Sequence, residues 1–388
     1  MKPPGMNLYV KIIGIFITFL FVFCYKEQNQ QVIPSQFTIP VTEKRIITQN
    51  NEIGFDFFRQ LNQSFTSGEN LLISPSGISF SLHSLLQSSS LEAESKLKDY
   101  LKLSDLSDSA INQGFNHLQQ LFSETGESAT YNNSLVYAFS HQMELDSKFL
   151  GIIRSDNKLK TSFEPNSGFI DEEIIPSNNR IEKFQLINQV GFNSWSMYQK
   201  RIEESPFYYN PDNSDFVQMI VSESDFKFYS DANIKAVELP LGKGNINMMI
   251  ILPNNMELMW EIANGLNMRI LKRIQEKAKL QHMEVYMPKI ELSSMQSYAP
   301  NLKNRNLDFL MNPQSANFQL IRDEKKVCLS DFEQLIDINI QFRSGIESLT
   351  SDESGKISSS FFIDHPFIIA IYEKFSNAIL FVAKVQHP

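Results

Sequence analysis

Cysteine is almost absent: Cys24 and Cys328 are the only two in 388 residues. That excludes a disulfide framework, and a chain this long buries enough core without one. Cys328 therefore reads as a buried free thiol. Histidine is scarce too. His83, His117, His141, His282, His365 and His387 form no H-E-x-x-H pair and no Cys/His cluster, so neither a metal nor a cofactor is expected. No G-x-S-x-G elbow occurs, and Gly242-Lys-Gly244 lacks the spacing of a phosphate loop and fits a hairpin turn. With no catalytic constellation, the expectation is a protein that is not an enzyme. Positive charge is also short, 35 Lys and Arg against 44 Asp and Glu, and a net charge of -9 argues against nucleic acid as a partner.

Long hydrophobic runs are missing except for one. Ile12 to Phe23, preceded by Lys2 and Lys11, has the length of a signal-peptide core and is short for a bilayer span. The expectation is a signal peptide over residues 1–24, cleaved after Cys24, with a signal anchor as the alternative. Cleavage implies a secreted, extracellular protein with no membrane contact afterwards. Two sequons, at Asn62 and Asn132, fit a secreted glycoprotein.

What the chain has is apolar mass: 42% hydrophobic residues, including 31 Phe. Residues 25–49 are polar, carry Pro34 and Pro40, and read as a flexible extension before a domain spanning 50–388. Helical spacing begins with Ile53, Phe57, Phe58 and Leu61 and returns over Leu91–Leu103, Asp108–Phe122 and Glu257–Gln275. Ser74-Pro75 caps and opens another helix. Strand-like runs occupy Ser134–Phe139, Phe184–Phe192, a hairpin over 237–252, Met283–Met287, Phe367–Tyr372 and Ala378–Val385. Helices early and strands late predict an α+β domain. Between two strand-like runs, residues 344–360 are small and polar, and a loop of that length is commonly functional.

Several segments together resemble the serpin family of serine protease inhibitors. They are Asn70-Leu-Leu-Ile-Ser-Pro-Ser-Gly-Ile-Ser, Leu186-Ile-Asn-Gln-Val-Gly-Phe-Asn-Ser-Trp195, Glu238-Leu-Pro-Leu-Gly-Lys-Gly-Asn, Met248-Met-Ile-Ile-Leu-Pro253, Met287-Pro-Lys-Ile, and Asp364-His-Pro-Phe followed by Ile379-Leu-Phe-Val-Ala-Lys-Val. They stand in the family's order from about Asn50 to Pro388. The resemblance implies three β-sheets, surrounding helices and an exposed reactive loop. Between Phe163 and Leu186 the chain is too brief for the family's helix over the main sheet, and Gly168–Pro176 resembles only the stretch that follows it, so that helix is expected to be reduced or absent. In this family a protease cuts the loop, forms an acyl-enzyme and is carried away as the cut loop inserts into the main sheet.

The resemblance assigns the hinge to Gly345, Ile346, Glu347 and Ser348. Inhibitors place small residues here; this chain has Ile346 and Glu347, then Leu349 and Asp352. Alternate residues of an inserting strand face the core. One parity buries Ile346 and Asp352, the other Glu347, and an unpaired buried carboxylate is costly. Counting back from Asp364 puts the bait bond at Lys356-Ile357; counting from the hinge puts it at Ser359-Ser360. The two disagree by about three residues, about 10 Å of strand. The matched sheet-opening region is Ser74, Asn188, Trp195 and Gln334, with Gly77 where a hydroxyl is usual. The expected function is a non-inhibitory or weakly inhibitory member with a cleavable loop over 345–360, in a binding, carrier or decoy role. The alternative is a suicide-substrate inhibitor of an extracellular serine protease, trypsin-like if Lys356 is the bait. Asp108–Phe122 holds no Lys or Arg, so no heparin-type site is expected there.

Overall fold

The computed structural model describes residues 39–64, 68–123, 129–139, 144–155, 159–162, 182–195, 198–242, 244–315, 318–322, 326–341 and 359–388. Helix α1 (Val41–Ser64) buries Ile46, Ile47, Ile53, Phe57, Phe58 and Leu61 along one stripe. It starts directly behind Pro40, whose carbonyl accepts from Lys44 N at 2.9 Å. Residues 41–49 are thus the first turns of a buried helix and not part of a flexible extension. Pro40 stands at a helix start, where proline is tolerated, and Ile46 and Ile47 carry the stripe about two turns further back than Ile53 suggests. Strand β1 (Leu71–Ile73) leads into α2 (Pro75–Gln87), capped by the Ser74 side chain on Gly77 N as expected. Then follow α3 (Leu91–Tyr100) and α4 (Asp108–Ser123).

Next come β2 (Ala129–Phe139), α5 (Ser147–Ser155), β3 (Leu159–Ser162), β4 (Glu182–Trp195), β5 (Gln199–Asn210), β6 (Asn213–Ser230), β7 (Ile234–Leu241) and β8 (Ile246–Pro253). The continuous helix expected over 257–275 is two, α6 (Met259–Gly265) and α7 (Met268–Lys277). Leu266 is extended between them, and the Asn267 side chain accepts from Arg269 N and Ile270 N, restarting the helix. The rest is β9 (Lys279–Pro288), β10 (Ile290–Ser297), α8 (Ala299–Lys303), β11 (Val327–Gln341), β12 (Ser360–Phe362), β13 (Phe367–Glu373) and β14 (Ile379–Val385).

The described strands form two hydrogen-bonded sheets. The nine-stranded one runs β1-β14-β13-β8-β7-β6-β9-β12, with β5 also on β6. One part of β6 pairs β5 and β9 and its end pairs β7, so two sheets of the expected three are joined through this long strand. Strands β8, β13 and β14 are buried at every position, which explains why they are apolar apart from Asn247, Glu373 and Lys384. The five-stranded sheet runs β10-β11-β4-β2-β3. At its centre β11 and β4 are parallel, from Val327 opposite Glu182 to Gln341 opposite Trp195. Their other neighbours, β10 and β2, are antiparallel to them. A segment following β11 that folded back between β11 and β4 would be antiparallel to both. The expected overlying helix falls within 163–181, outside the described residues.

Candidate sheet-opening site and reactive segment

Gln334 on β11, Asn188 on β4 and Ser74 ahead of α2 meet in the core, each fully buried. Gln334 Nε2 donates to Ser74 O (3.1 Å) and to Asn188 Oδ1 (2.8 Å). Its Oε1 accepts from Ser74 N (2.9 Å) and Tyr298 OH (2.9 Å). All four hydrogen-bonding positions of that amide are used. Asn188 Nδ2 donates onward to β2, to Asn133 Oδ1 (2.6 Å) and Ser134 O (3.2 Å). Ser74 Oγ donates to Leu380 O (2.8 Å) and accepts from Gly77 N (3.1 Å). Ser76 Oγ lies 2.8 Å from Tyr131 OH. Burial raises the hydroxyl pKa of both Tyr131 and Tyr298, keeping them neutral partners. The amides clasp the parallel pair and tie it to α2 and β2.

Gly77 belongs to this cluster for a reason opposite to the one the sequence suggests. A Cβ there would stand 2.3 Å from Asn188 Oδ1 and 2.6 Å from Gln334 Nε2. The missing side chain makes the room in which the two amides meet. Trp195, by contrast, is not in the cluster. It ends β4 opposite Gln341, seven positions beyond Asn188 on the same strand, half-buried, with its carbonyl accepting from Gly242 N at 3.2 Å. Tyr298 and Asn133 complete the cluster without any local motif to announce them, since only the fold brings them near Gln334 and Asn188.

The walls of the β4–β11 seam are apolar. The inward row of β4 is Phe184, Leu186, Asn188, Val190, Phe192 and Ser194; that of β11 is Phe332, Gln334, Ile336, Ile338 and Ile340, all buried. Hinge residues Gly345, Ile346, Glu347 and Ser348, and Lys356 and Ile357, lie outside the described residues. Ser359 and Ser360 do not. Glu284 N donates to Ser359 O (3.1 Å), Gln281 Nε2 donates to Ser359 Oγ (2.7 Å), and Ser360 pairs with Glu284 in the β12–β9 ladder. The Ser359-Ser360 bond is thus held at a sheet edge.

Strand β12 has its own anchors. Phe361 is buried edge-on against Phe228, and Phe362 stacks on Tyr286 with ring centres 4.0 Å apart. Beneath them Glu284, buried, accepts from Arg201 Nη1 (2.8 Å) and Tyr286 OH (2.8 Å). The Arg201 guanidinium holds the Glu284 carboxyl down to about 2 against the cost of burial. Of the sequons, Asn132 is exposed on β2. Asn62 does not meet its expectation: it is fully buried on α1 with its amide donating to Asn264 Oδ1 at 3.1 Å, and in the folded chain a glycan has no room there. Cys328 is a buried free thiol whose pKa burial pushes up.

The family model for Serpin (serine protease inhibitor) matches residues 48–164 and 167–388. This chain belongs to the serpin family. An uncharacterized serpin-like protein of Methanosarcina acetivorans is 25% identical over 169 residues, 42% of this chain and 39% of that protein. Serine proteinase inhibitor 2 of Variola virus is 24% identical over 349 residues, 86% of this chain and 99% of that one. The crystal structure of uncleaved ovalbumin superposes with a TM-score of 0.73 at 17% identity, covering 88% of this chain and all of that one. The serpin fold, α+β, is therefore established for this chain. Its central seam is where the serpin resemblance places the inserted loop.

Proposed function

We propose that this protein is a secreted serpin that is cut in its loop without completing the protease trap, acting as a binding, carrier or decoy protein. The observation that carries the reading is the mismatch between hinge and seam. Whichever parity a loop took on insertion, Asp352 or Glu347 would face rows whose polar members Asn188 and Gln334 already spend their hydrogen bonds on each other, on Ser74, on Tyr298 and on β2. A carboxylate between Ile336, Ile338 and Val190 meets no countercharge. The strand engagement of Ser359 and Ser360 supports Lys356-Ile357 as the bond a trypsin-like protease would cut, and the shortened stretch between the hinge and that bond limits how far a bound protease could travel.

The inhibitor reading has its own support in the intact parallel seam and in the name of the viral relative. Secretion rests on the Lys-flanked apolar run before Cys24, and a glycan at Asn132 rests on its exposed sequon. Among the described residues no helix is long and apolar enough to cross a membrane. The lack of Lys and Arg on α4 argues against a heparin-type partner at that helix.

The test is incubation with a trypsin-like protease followed by a denaturing gel and a thermal melt. Cleavage after Lys356, no covalent adduct and an unchanged melting temperature are expected. A boiling-resistant complex would overturn the proposal in favour of the inhibitor reading.

A further inference from the structure

A cavity of about 570 Å³ opens between α2, α4, β2 and α5, within the range of small-ligand sites. Its polar lining is mostly carboxamides converging from three elements, Gln87 on α2, Asn112, Asn116, Gln119 and Gln120 on α4, and Asn133 on β2, joined by His83 and the hydroxyls of Ser84, Ser123 and Ser134. Among the described residues no Lys, Arg, Asp or Glu lines it. That is unusual for the outer face of a surface helix, which ordinarily carries charge. On α4 the apolar stripe of Ile111, Phe115, Leu118 and Phe122 faces the core, and the amides run beside it. Some are fixed in advance: Asn112 Oδ1 sits 2.8 Å from His83 Nε2 and accepts from Gln87 Nε2 at 3.2 Å, while His83 stacks on Phe115 at 4.0 Å. Asn116, Gln119 and Gln120 make no side-chain hydrogen bond among the described residues. Phe80, Leu135 and Ile152 supply an apolar wall.

The carboxamide both donates and accepts, as a hydroxyl does, and a row of them matches neighbouring hydroxyls while offering no countercharge to an ion. An aromatic and aliphatic wall beside them suits the C–H face of a sugar ring. We propose that this cavity binds a neutral, hydroxyl-rich ligand of the oligosaccharide class, and that occupancy resists opening of the β4–β11 seam. The second part follows from connectivity. Asn188 ties β4 to β2 through Asn133 and Ser134, both at the cavity, so β4 and β2 shift together. Gln334 ties β11 to Ser74 at the start of α2. Opening the seam slides the β2–β4 pair across α2, and a ligand bridging Asn133 to Gln87 and Gln119 spans that boundary.

The experiment uses the full chain with chitotriose and maltotriose as neutral probes and a heparin tetrasaccharide as the anionic control, read by calorimetry. Saturable binding of at least one neutral probe and none of the control is expected. The variant Asn116→Glu/Gln120→Glu, both positions exposed, should weaken binding about tenfold or more with its melting temperature unchanged. Bound probe should slow amide exchange in β4 and β11. Failure of both neutral probes to bind, or equal binding by the variant, would overturn the site; binding with unchanged exchange would overturn the coupling to the seam.

Discussion

Gln334 shows how one neutral side chain can hold a seam. Its amide bonds two strands, a helix cap and a buried phenol at once, so its removal strands Ser74 N, Tyr298 OH and Asn188 Oδ1 together. Each buried group left unpaired costs about 1–3 kcal/mol, and Gln334→Ala is expected to lower stability by about 3 kcal/mol or more in denaturant unfolding. Gly77→Ala tests the same cluster from the side of space. With a Cβ 2.3 Å from Asn188 Oδ1, the amides must separate, and a loss of about 2–3 kcal/mol is expected by thermal or denaturant melting. A Gly77→Ala protein as stable as the parent would remove the reading of Gly77 as the space-maker.

At the scale of elements, the three-residue strand β12 depends on the side chains beneath it. Glu284 is charged and paired with Arg201, its carboxyl lowered to about 2 from an ordinary value near 4.3. A depressed carboxyl contributes stability above its unfolded pKa and loses it as pH falls toward the folded one, so the contribution fades from about pH 5 down to about pH 2. It amounts to about 3 kcal/mol. Glu284→Gln should be less stable at neutral pH by a comparable amount and should show a flatter decline on acidification, measured by urea midpoints across that range. Identical pH profiles for the two proteins would contradict this. The elements were unevenly legible. Helix α2 announced itself by Ser74-Pro75, and β8, β13 and β14 by largely apolar runs. Strands β5 and the first half of β6 did not, because their faces alternate among exposed charges, Tyr208 and Phe216 rather than core residues.

For the molecule as a whole, the question is whether a cut loop can add a strand between β4 and β11. If acidic and bulky hinge residues are what prevent it, replacing Ile346, Glu347 and Asp352 with Thr, Ala and Ala should restore insertion. The cleaved variant would then melt well above its uncleaved form, by about 10 °C or more on the scale of several kcal/mol, whereas the cleaved parent would not. Equal melting temperatures for cut and uncut variant would show that loop length, not hinge chemistry, is limiting.

The sequence by itself determined the family and the α+β class, because apolar spacing, a helix-capping pair and a run of ordered motifs are all local or linear properties. It also held Glu347 and Asp352, on which the proposed reading of the hinge rests. Only the tertiary structure decided what Gly77, Tyr298 and Asn133 do, that Asn62 is buried, that α1 begins at Val41, and that an amide-lined cavity sits beside the seam. Those depend on which residues from distant strands and helices come within hydrogen-bonding reach, and no spacing along the chain encodes that distance.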